Sequence, residues 1–331
     1  MSKLRVAILG CGGFATRHAR QMSKHPDVQI VALCDVADEV LNFFLDACLK
    51  DYEPKPALFT DRAAMYEQAQ PDAVVIVTPH TLHYQHAVEA LDHGCHILVE
   101  KPMVTSSRDA HDLASRIEKA GKVLTIGYGT PCTPEFRFLR QLVRDRTLGN
   151  LELVSAWLAQ NWMDPTRGKW RQDPKLSGGG QAYDSGAHLL NSVCWTVEDR
   201  VVEVYAMIDN RGTRVDVNSS INVRFEKGVR AGIVIGGNCP TSASNMMLAF
   251  DGGHVEIDGW NGSWIKVRTK DGEMKYPHID FPAQTPDMNF IDAVLGRAEP
   301  LTSPINGVIQ SELMDAIYES ARTGRPVRPE R

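Results

Sequence analysis

Hydrophobic positions along this chain follow two patterns that meet near Gly127. Ahead of it they come in short, mainly apolar runs, at residues 4–9, 28–34, 73–77, 97–99 and 123–126. Such runs suit strands covered on both faces, as in a parallel sheet. Between them lie segments of helical period: 16–23, 62–69 with Asp61 as its cap, 81–93 with Val88 and Leu91 inward and Gly94 as its stop, and 106–120 ended by Gly121. Alternation of this kind is expected of a complete dinucleotide-binding domain, a fold of six strands, over residues 1–127. Beyond Gly127 the pattern changes. A helix is expected over 134–146, with Phe136, Leu139 and Val143 on one side, and then alternating strands at 151–160, 201–208, 215–225, 229–235 and 246–250, with shorter ones near Val255 and Ile265. Consecutive strands imply a mainly antiparallel sheet, and two late helices, 288–295 and 306–322, complete a second domain over 128–331. The fold class is therefore α/β: an N-terminal Rossmann domain followed by a C-terminal α+β domain with a large, mainly antiparallel open sheet.

Composition narrows the partners. The chain has 331 residues, 43% of them hydrophobic and 23% charged, enough for two domains with their own cores. A net charge of -5 with acidic and basic residues interspersed argues against nucleic acid or an anionic membrane as partner. Seven cysteines form no C-x-x-C pair, which is expected of reduced thiols in a cytoplasmic protein. No apolar span approaches the roughly 20 residues of a membrane helix, and residues 4–9 are too short for a signal peptide.

The chemistry gathers at strand ends. After residues 4–9 comes Gly10-Cys11-Gly12-Gly13-Phe14-Ala15, a G-x-G-x-x-A turn between strand and helix. Small residues here let the backbone turn tightly, approach a pyrophosphate and present helix N-terminal amides to it. The second strand closes on Asp35, an acid suited to the ribose hydroxyls of NAD and repulsive to the extra phosphate of NADP. No arginine or lysine follows within Val36 to Glu39, so NAD is favoured and NADP less so. Thr78-Pro79 makes a rigid turn at the same sheet edge and should border the cofactor. Glu100-Lys101-Pro102 follows the strand at 97–99, and the proline restricts Lys101 to extended geometry. Of the histidines at 80, 83, 86, 93 and 96, His83 is a candidate cofactor contact and the others are expected at the surface. No short ligand set is complete, so no metal is expected.

In the second domain, Asp184-Ser185-Gly186-Ala187-His188 has helical spacing that sets Asp184 and His188 on one face. A carboxylate beside an imidazole orients it and raises its basicity, which suits proton removal from an alcohol as hydride leaves. Gly186 costs about 1 kcal/mol in a helix relative to alanine, which suggests that a nicotinamide or sugar ring packs close by. Upstream, Trp162, Trp170 and Arg171 stand among polar residues and suit a sugar or cyclic polyol, whereas Trp157, inside a strand, is expected in the core.

These motifs resemble the glucose-fructose oxidoreductase, inositol dehydrogenase and rhizopine catabolism (Gfo/Idh/MocA) oxidoreductases. The Gly10–Ala15 loop looks like the family's cofactor loop, Thr78-Pro79 with His83 and then Glu100-Lys101-Pro102 like its central signature, and Asp184-x-Gly186-x-His188 like its catalytic helix. The resemblance implies NAD or NADP as cofactor, assembly into dimers or tetramers through the open sheet, Lys101 assisting the substrate oxygen, and His188 as acid/base supported by Asp184. It also places Tyr128 near the substrate. Gly129-Thr130-Pro131-Cys132 stands where many relatives carry an arginine-rich segment. The expected activity is hydride transfer between nicotinamide and a secondary alcohol of a sugar, inositol or sugar derivative. The alternatives are an NAD-dependent glycoside hydrolase working by transient oxidation and elimination, and a non-catalytic NAD-binding regulator.

Overall fold

The computed structural model describes residues 3–274 and 277–330. They form two compact units, one of Met1–Val104, Asp109–Gly127 and Pro286–Pro304, the other of Thr105–Arg108, Tyr128–Thr285 and Ile305–Arg331. The units therefore interleave along the chain, whereas the sequence pattern suggests a single division after Gly127.

In the first unit six strands, β1 (Leu4–Leu9), β2 (Val28–Cys34), β3 (Ala57–Phe59), β4 (Ala73–Ile76), β5 (His96–Val99) and β6 (Leu124–Ile126), make one parallel sheet in the order β3-β2-β1-β4-β5-β6. Val6 pairs with Ile30 on one side and with Ala73 on the other. The order reverses between β1 and β4, the switch point where ligands bind in open α/β sheets. Helices α1 (Ala15–Met22), α2 (Asp38–Cys48), α3 (Arg62–Ala69), α4 (His83–Asp92) and α5 (Ser107–Ala120) occupy the crossovers. Asp61 caps α3 by accepting from the Ala64 amide at 2.8 Å. β3 has no signal in the hydrophobic pattern because it is three residues long and Ala57 and Leu58 are exposed.

Along α4 the covered stripe is His83, His86, Ala87 and Ala90, while Val88 and Leu91 are only half-buried. The phase of this helix corrects the sequence reading. His80 and His86 are buried as well, not at the surface. Their burial is tolerated because an imidazole can hydrogen-bond while its carbon edges pack, as His86 does with the Thr78 hydroxyl.

The second unit begins with α6 (Pro134–Asp145), capped by the Thr133 hydroxyl and burying Phe136, Leu139 and Leu142. Strands β7 (Leu151–Asn161), β8 (Val201–Asp209), β9 (Asn218–Phe225), β10 (Arg230–Gly236), β11 (Asn238–Phe250), β12 (Gly253–Ile257), β13 (Ile265–Thr269) and β14 (Gly272–Met274) form an eight-stranded sheet ordered β14-β13-β12-β11-β7-β10-β9-β8. Among the described residues only β7 and β10 run parallel in it. Short helices α7 (Met163–Thr166) and α8 (Pro174–Ser177) precede α9 (Gly186–Val197). Two late helices follow, α10 (Pro286–Val294) and α11 (Pro304–Thr323). Leu189, Leu190 and Val193 of α9 and Leu313, Met314 and Ile317 of α11 share a core with Val154, Ala156 and Leu158 of β7 and Ile233 and Ile235 of β10.

With Ala156 and Leu158 on the core side, the two-residue period of a strand turns Trp157 outward, where it is 40% exposed. This overturns its assignment to the core. Register carries the same face across the sheet through Met207, Ser220, Val234, Trp157 and Asn245.

Phe290 and Ile291 of α10 pack with Ile8, Ala15 and Val75 in the first unit's core. None of the seven cysteines is joined to another in a disulfide. Among the described residues no helix is long and apolar enough to cross a membrane.

Candidate active site

The parallel strands deliver their ends to one edge of the first sheet. Ladder hydrogen bonds run one residue past the strands, from the amides of Gly10 to Cys34 O, Val77 to Leu9 O, Glu100 to Ile76 O and Gly127 to Val99 O. The residues that follow are thereby fixed in place. Gly10 has φ +89, and a Cβ there would lie 2.7 Å from the Val77 carbonyl oxygen, so only glycine fits. At Gly12 and Gly13 a Cβ would meet nothing within 4 Å, leaving the loop open to a ligand. Ala15 is wholly buried at the start of α1, and Phe14 is 45% exposed with its ring edge-on to His18 at 5.9 Å.

Asp35 Oδ2 accepts the Cys11 amide at 2.8 Å, which pins the carboxylate against the glycine loop. These features fit a dinucleotide: loop amides for the diphosphate, open space over the glycines, and a fixed acid for the ribose hydroxyls. Burial, with Asp35 adding repulsion, pushes the Cys11 thiol well above its usual range, so it stays protonated.

Thr78 and Pro79 follow β4 at the same edge. His83 is fully buried, with Nε2 2.8 Å from Thr78 O and Nδ1 2.7 Å from Pro102 O, so its ring ties the turn after β4 to the turn after β5. Burial holds His83 below the usual imidazole range, against the pull of those two carbonyls. His86 is held down to about 4, by burial and then by Arg62 and His83. Lys101 is 9% exposed, and the Lys101–Pro102 peptide is cis. Its backbone N–H donates to Glu100 Oε2 at 3.2 Å, and Glu100 is 7% exposed.

The second unit brings its own group together. Asp184 lies in the turn before α9 rather than on it, since regular helix begins at Gly186. The placement of Asp184 and His188 on one helical face is thereby corrected, although the turn is tightly wound: the amides of Asp184, Gly186 and His188 reach Gly180 O, Gln181 O and Ser185 O. Asp184 Oδ2 accepts Trp162 Nε1 at 2.8 Å and Arg171 Nε at 2.9 Å, and the Arg171 guanidinium lies 4.4 Å over the Trp170 ring. Trp162 is buried at 3% exposure, while Trp170 is half-buried. The His188 ring is edge-on to Tyr128 at 5.7 Å and tilted against Trp260 at 4.8 Å. What packs on Gly186 is protein rather than a ligand ring: a Cβ there would lie 2.8 Å from Ile235 Cδ1 and 2.9 Å from Gln181 O.

Three groups around these residues escape the sequence reading. Trp260 beside His188 sits in a turn after β12 with no pattern to mark it. Asp216 accepts the Gly180 amide and the Ala182 amide at 2.7 Å each and so holds the turn that carries Asp184. His18 contacts both Glu100 and Asp287. Its signal was available, because it falls on the stripe of α1 formed by Ala15, Ala19 and Met22. Among the described residues no group of three or more His, Cys, Asp or Glu is placed to hold a metal ion.

Known proteins resemble this chain throughout. Residues 4–128 match the family model described as oxidoreductase family, NAD-binding Rossmann fold, and residues 136–265 match the GFO/IDH/MocA C-terminal domain. D-glucoside 3-dehydrogenase of Escherichia coli (strain K12) is 29% identical over 197 residues, 59% of this chain and 54% of that protein. Rhizopine catabolism protein MocA of Rhizobium meliloti is 29% identical over 201 residues, 59% of this chain and 57% of that protein. The chain thus spans little more than half the length of these two relatives. The crystal structure of aldose-aldose oxidoreductase from Caulobacter crescentus, complexed with glycerol, shares the fold with a TM-score of 0.86 at 24% identity, covering 98% of this chain and 99% of that one. With both its sequence models and its two folds matched, the chain belongs to the Gfo/Idh/MocA oxidoreductase family, its first unit an NAD-binding Rossmann fold and its second the family's C-terminal domain.

Proposed function

We propose that this protein is an NAD-dependent dehydrogenase that oxidises a secondary alcohol of a sugar, inositol or sugar derivative. The observation that carries the reading is Lys101, a cationic side chain held almost buried at the carboxyl end of β5, on the sheet edge where the dinucleotide loop opens. A cation there lowers the free energy of a developing alkoxide. Bound NAD supplies the hydride acceptor. The amides of Gly12, Gly13 and Phe14 hold the diphosphate and Asp35 holds the ribose, which favours NAD over NADP. Thr78, Pro79 and His83 frame the same edge, Lys101 hydrogen-bonds the substrate oxygen, and His188 takes the hydroxyl proton. Asp184, fixed by Trp162 and Arg171 in the turn that leads into α9, is assigned the supporting carboxylate of His188. Trp170 and Arg171 present a ring and N–H donors to a polyol, while Tyr128, wholly buried rather than facing substrate, backs the His188 ring with its edge. The names of the relatives support the sugar class.

NADH formation should be followed across inositols, free sugars, sugar acids and glycosides, with NAD and NADP in parallel. Turnover of one substrate class, faster with NAD, is expected. Lys101→Met and His188→Ala should each lower kcat by about 10²–10⁴-fold while leaving NAD affinity unchanged. Variants that keep wild-type turnover would falsify the assignment of these two residues, and glycoside cleavage without net NADH would replace the dehydrogenase by the hydrolase.

A further inference from the structure

We propose that His18 is a positioning residue: an imidazolium clamped between Glu100 and Asp287 that fixes the Glu100 carboxylate and, through it, the turn that presents Lys101. This rests on the dehydrogenase reading and adds to it a residue outside the motifs that suggested it.

The geometry is closed on every side. His18 is 2% exposed on α1, the helix that starts at the glycine loop. Its Nε2 lies 3.0 Å from Glu100 Oε1 and its Nδ1 2.7 Å from Asp287 Oδ1. A ring with a carboxylate oxygen on each nitrogen must carry both protons, because neither oxygen of an ionised carboxylate can donate. Two buried carboxylates, in turn, need a cation between them. Burial alone would pull the imidazole down, but Asp287 and then Glu100 outweigh it and raise it to about 10.

The other oxygen of Glu100 accepts the Lys101 amide, and the Glu100 amide is bonded to Ile76 O at 2.9 Å. Gly127 leaves room for this carboxylate, since a Cβ there would lie 2.6 Å from Oε1. By holding Oε1, His18 sets the side-chain rotamer of Glu100, and the rotamer sets the hydrogen bond to the backbone from which Lys101 departs. The cofactor loop and the lysine turn are thus tied to one ring.

Two substitutions separate its two contacts. His18→Gln keeps a donor where Nε2 stands, toward Glu100, and loses the one toward Asp287. His18→Asn keeps a donor where Nδ1 stands, toward Asp287, and loses the one toward Glu100. Both remove the buried charge. Purified full-length variants should show kcat lower in His18→Asn than in His18→Gln by about tenfold or more, with little change in the KM for NAD. A purely structural clamp would lower melting temperature in both and leave their kcat values equal, and equal values would overturn the proposal. Nitrogen-15 NMR of the ring in the unmodified protein supplies a readout that needs no substrate: both nitrogens should be protonated at pH 8, and a neutral ring would also overturn it. Failure of the wild-type enzyme on every alcohol would sink the dehydrogenase reading and the kinetic arm with it, while the ring signals still decide the clamp.

Discussion

His18 also links stability to pH. Its folded-state pKa, about 10, lies above the ordinary 6.5, so the unfolded chain releases this proton first as pH rises. The contribution of the imidazolium to stability is complete below pH 6.5 and is lost as pH climbs through about 10. Denaturant unfolding followed between pH 6 and pH 10 should therefore show a decline that His18→Gln flattens, and an unchanged slope in the variant would remove the histidine from the account. At this scale the sequence was uneven. The types and spacing of Asp184 and His188 were legible, because a carboxylate four residues before an imidazole is a chemical pattern. Their geometry was not. Asp184 is placed by Trp162 and Arg171, which precede it by 22 and 13 positions, and no local period encodes that distance.

Strands and helices of the first unit could be read because each buries a run or a stripe, and the runs at Ala73–Ile76 and Ile97, Leu98 and Val99 are covered on both faces. In the second unit the alternation of β10, exposed and buried by turns, was equally readable. Which large residue falls on which side was not, and Trp157 went to the wrong face for lack of a register. That face now bears a proposal about assembly. Leu153 at 51% exposure, Val234 at 53% and Met207 at 57% join Trp157 on an open sheet surface, and covering it with a second copy of the chain fits the dimer or tetramer expected of the family's open sheet. If a second copy does cover this face, the wild type should sediment as a dimer or tetramer and a variant with a like pair of carboxylates there, Trp157→Glu with Val234→Glu, as a monomer. If the double variant sediments as the wild type does, the contact lies elsewhere.

For the whole molecule, cofactor binding and stability are one equilibrium. A ligand that binds the folded state at 100 times its Kd stabilises it by about 2.7 kcal/mol, so NAD should raise the melting temperature of the protein, and more than NADP at equal concentration. Equal shifts would take from Asp35 its role as selector. The order of motifs along the chain was enough to recognise two folds, since glycine loop, Lys101 and His188 each mark a different part of them. The pattern could not reveal that Pro286–Pro304 return to the first unit, because an amphipathic helix does not say which core it fills. That return has a bearing on how the protein is made. Phe290 and Ile291 complete an apolar core begun at Leu4, Thr302 bonds to Ile126, and Asp287 is the counter-ion of His18. During synthesis the emerging Rossmann sheet waits, short of core side chains and with half of a buried ion network, until the ribosome has translated past Pro304. A nascent chain stalled before Pro286 is therefore a client for chaperones rather than a finished domain.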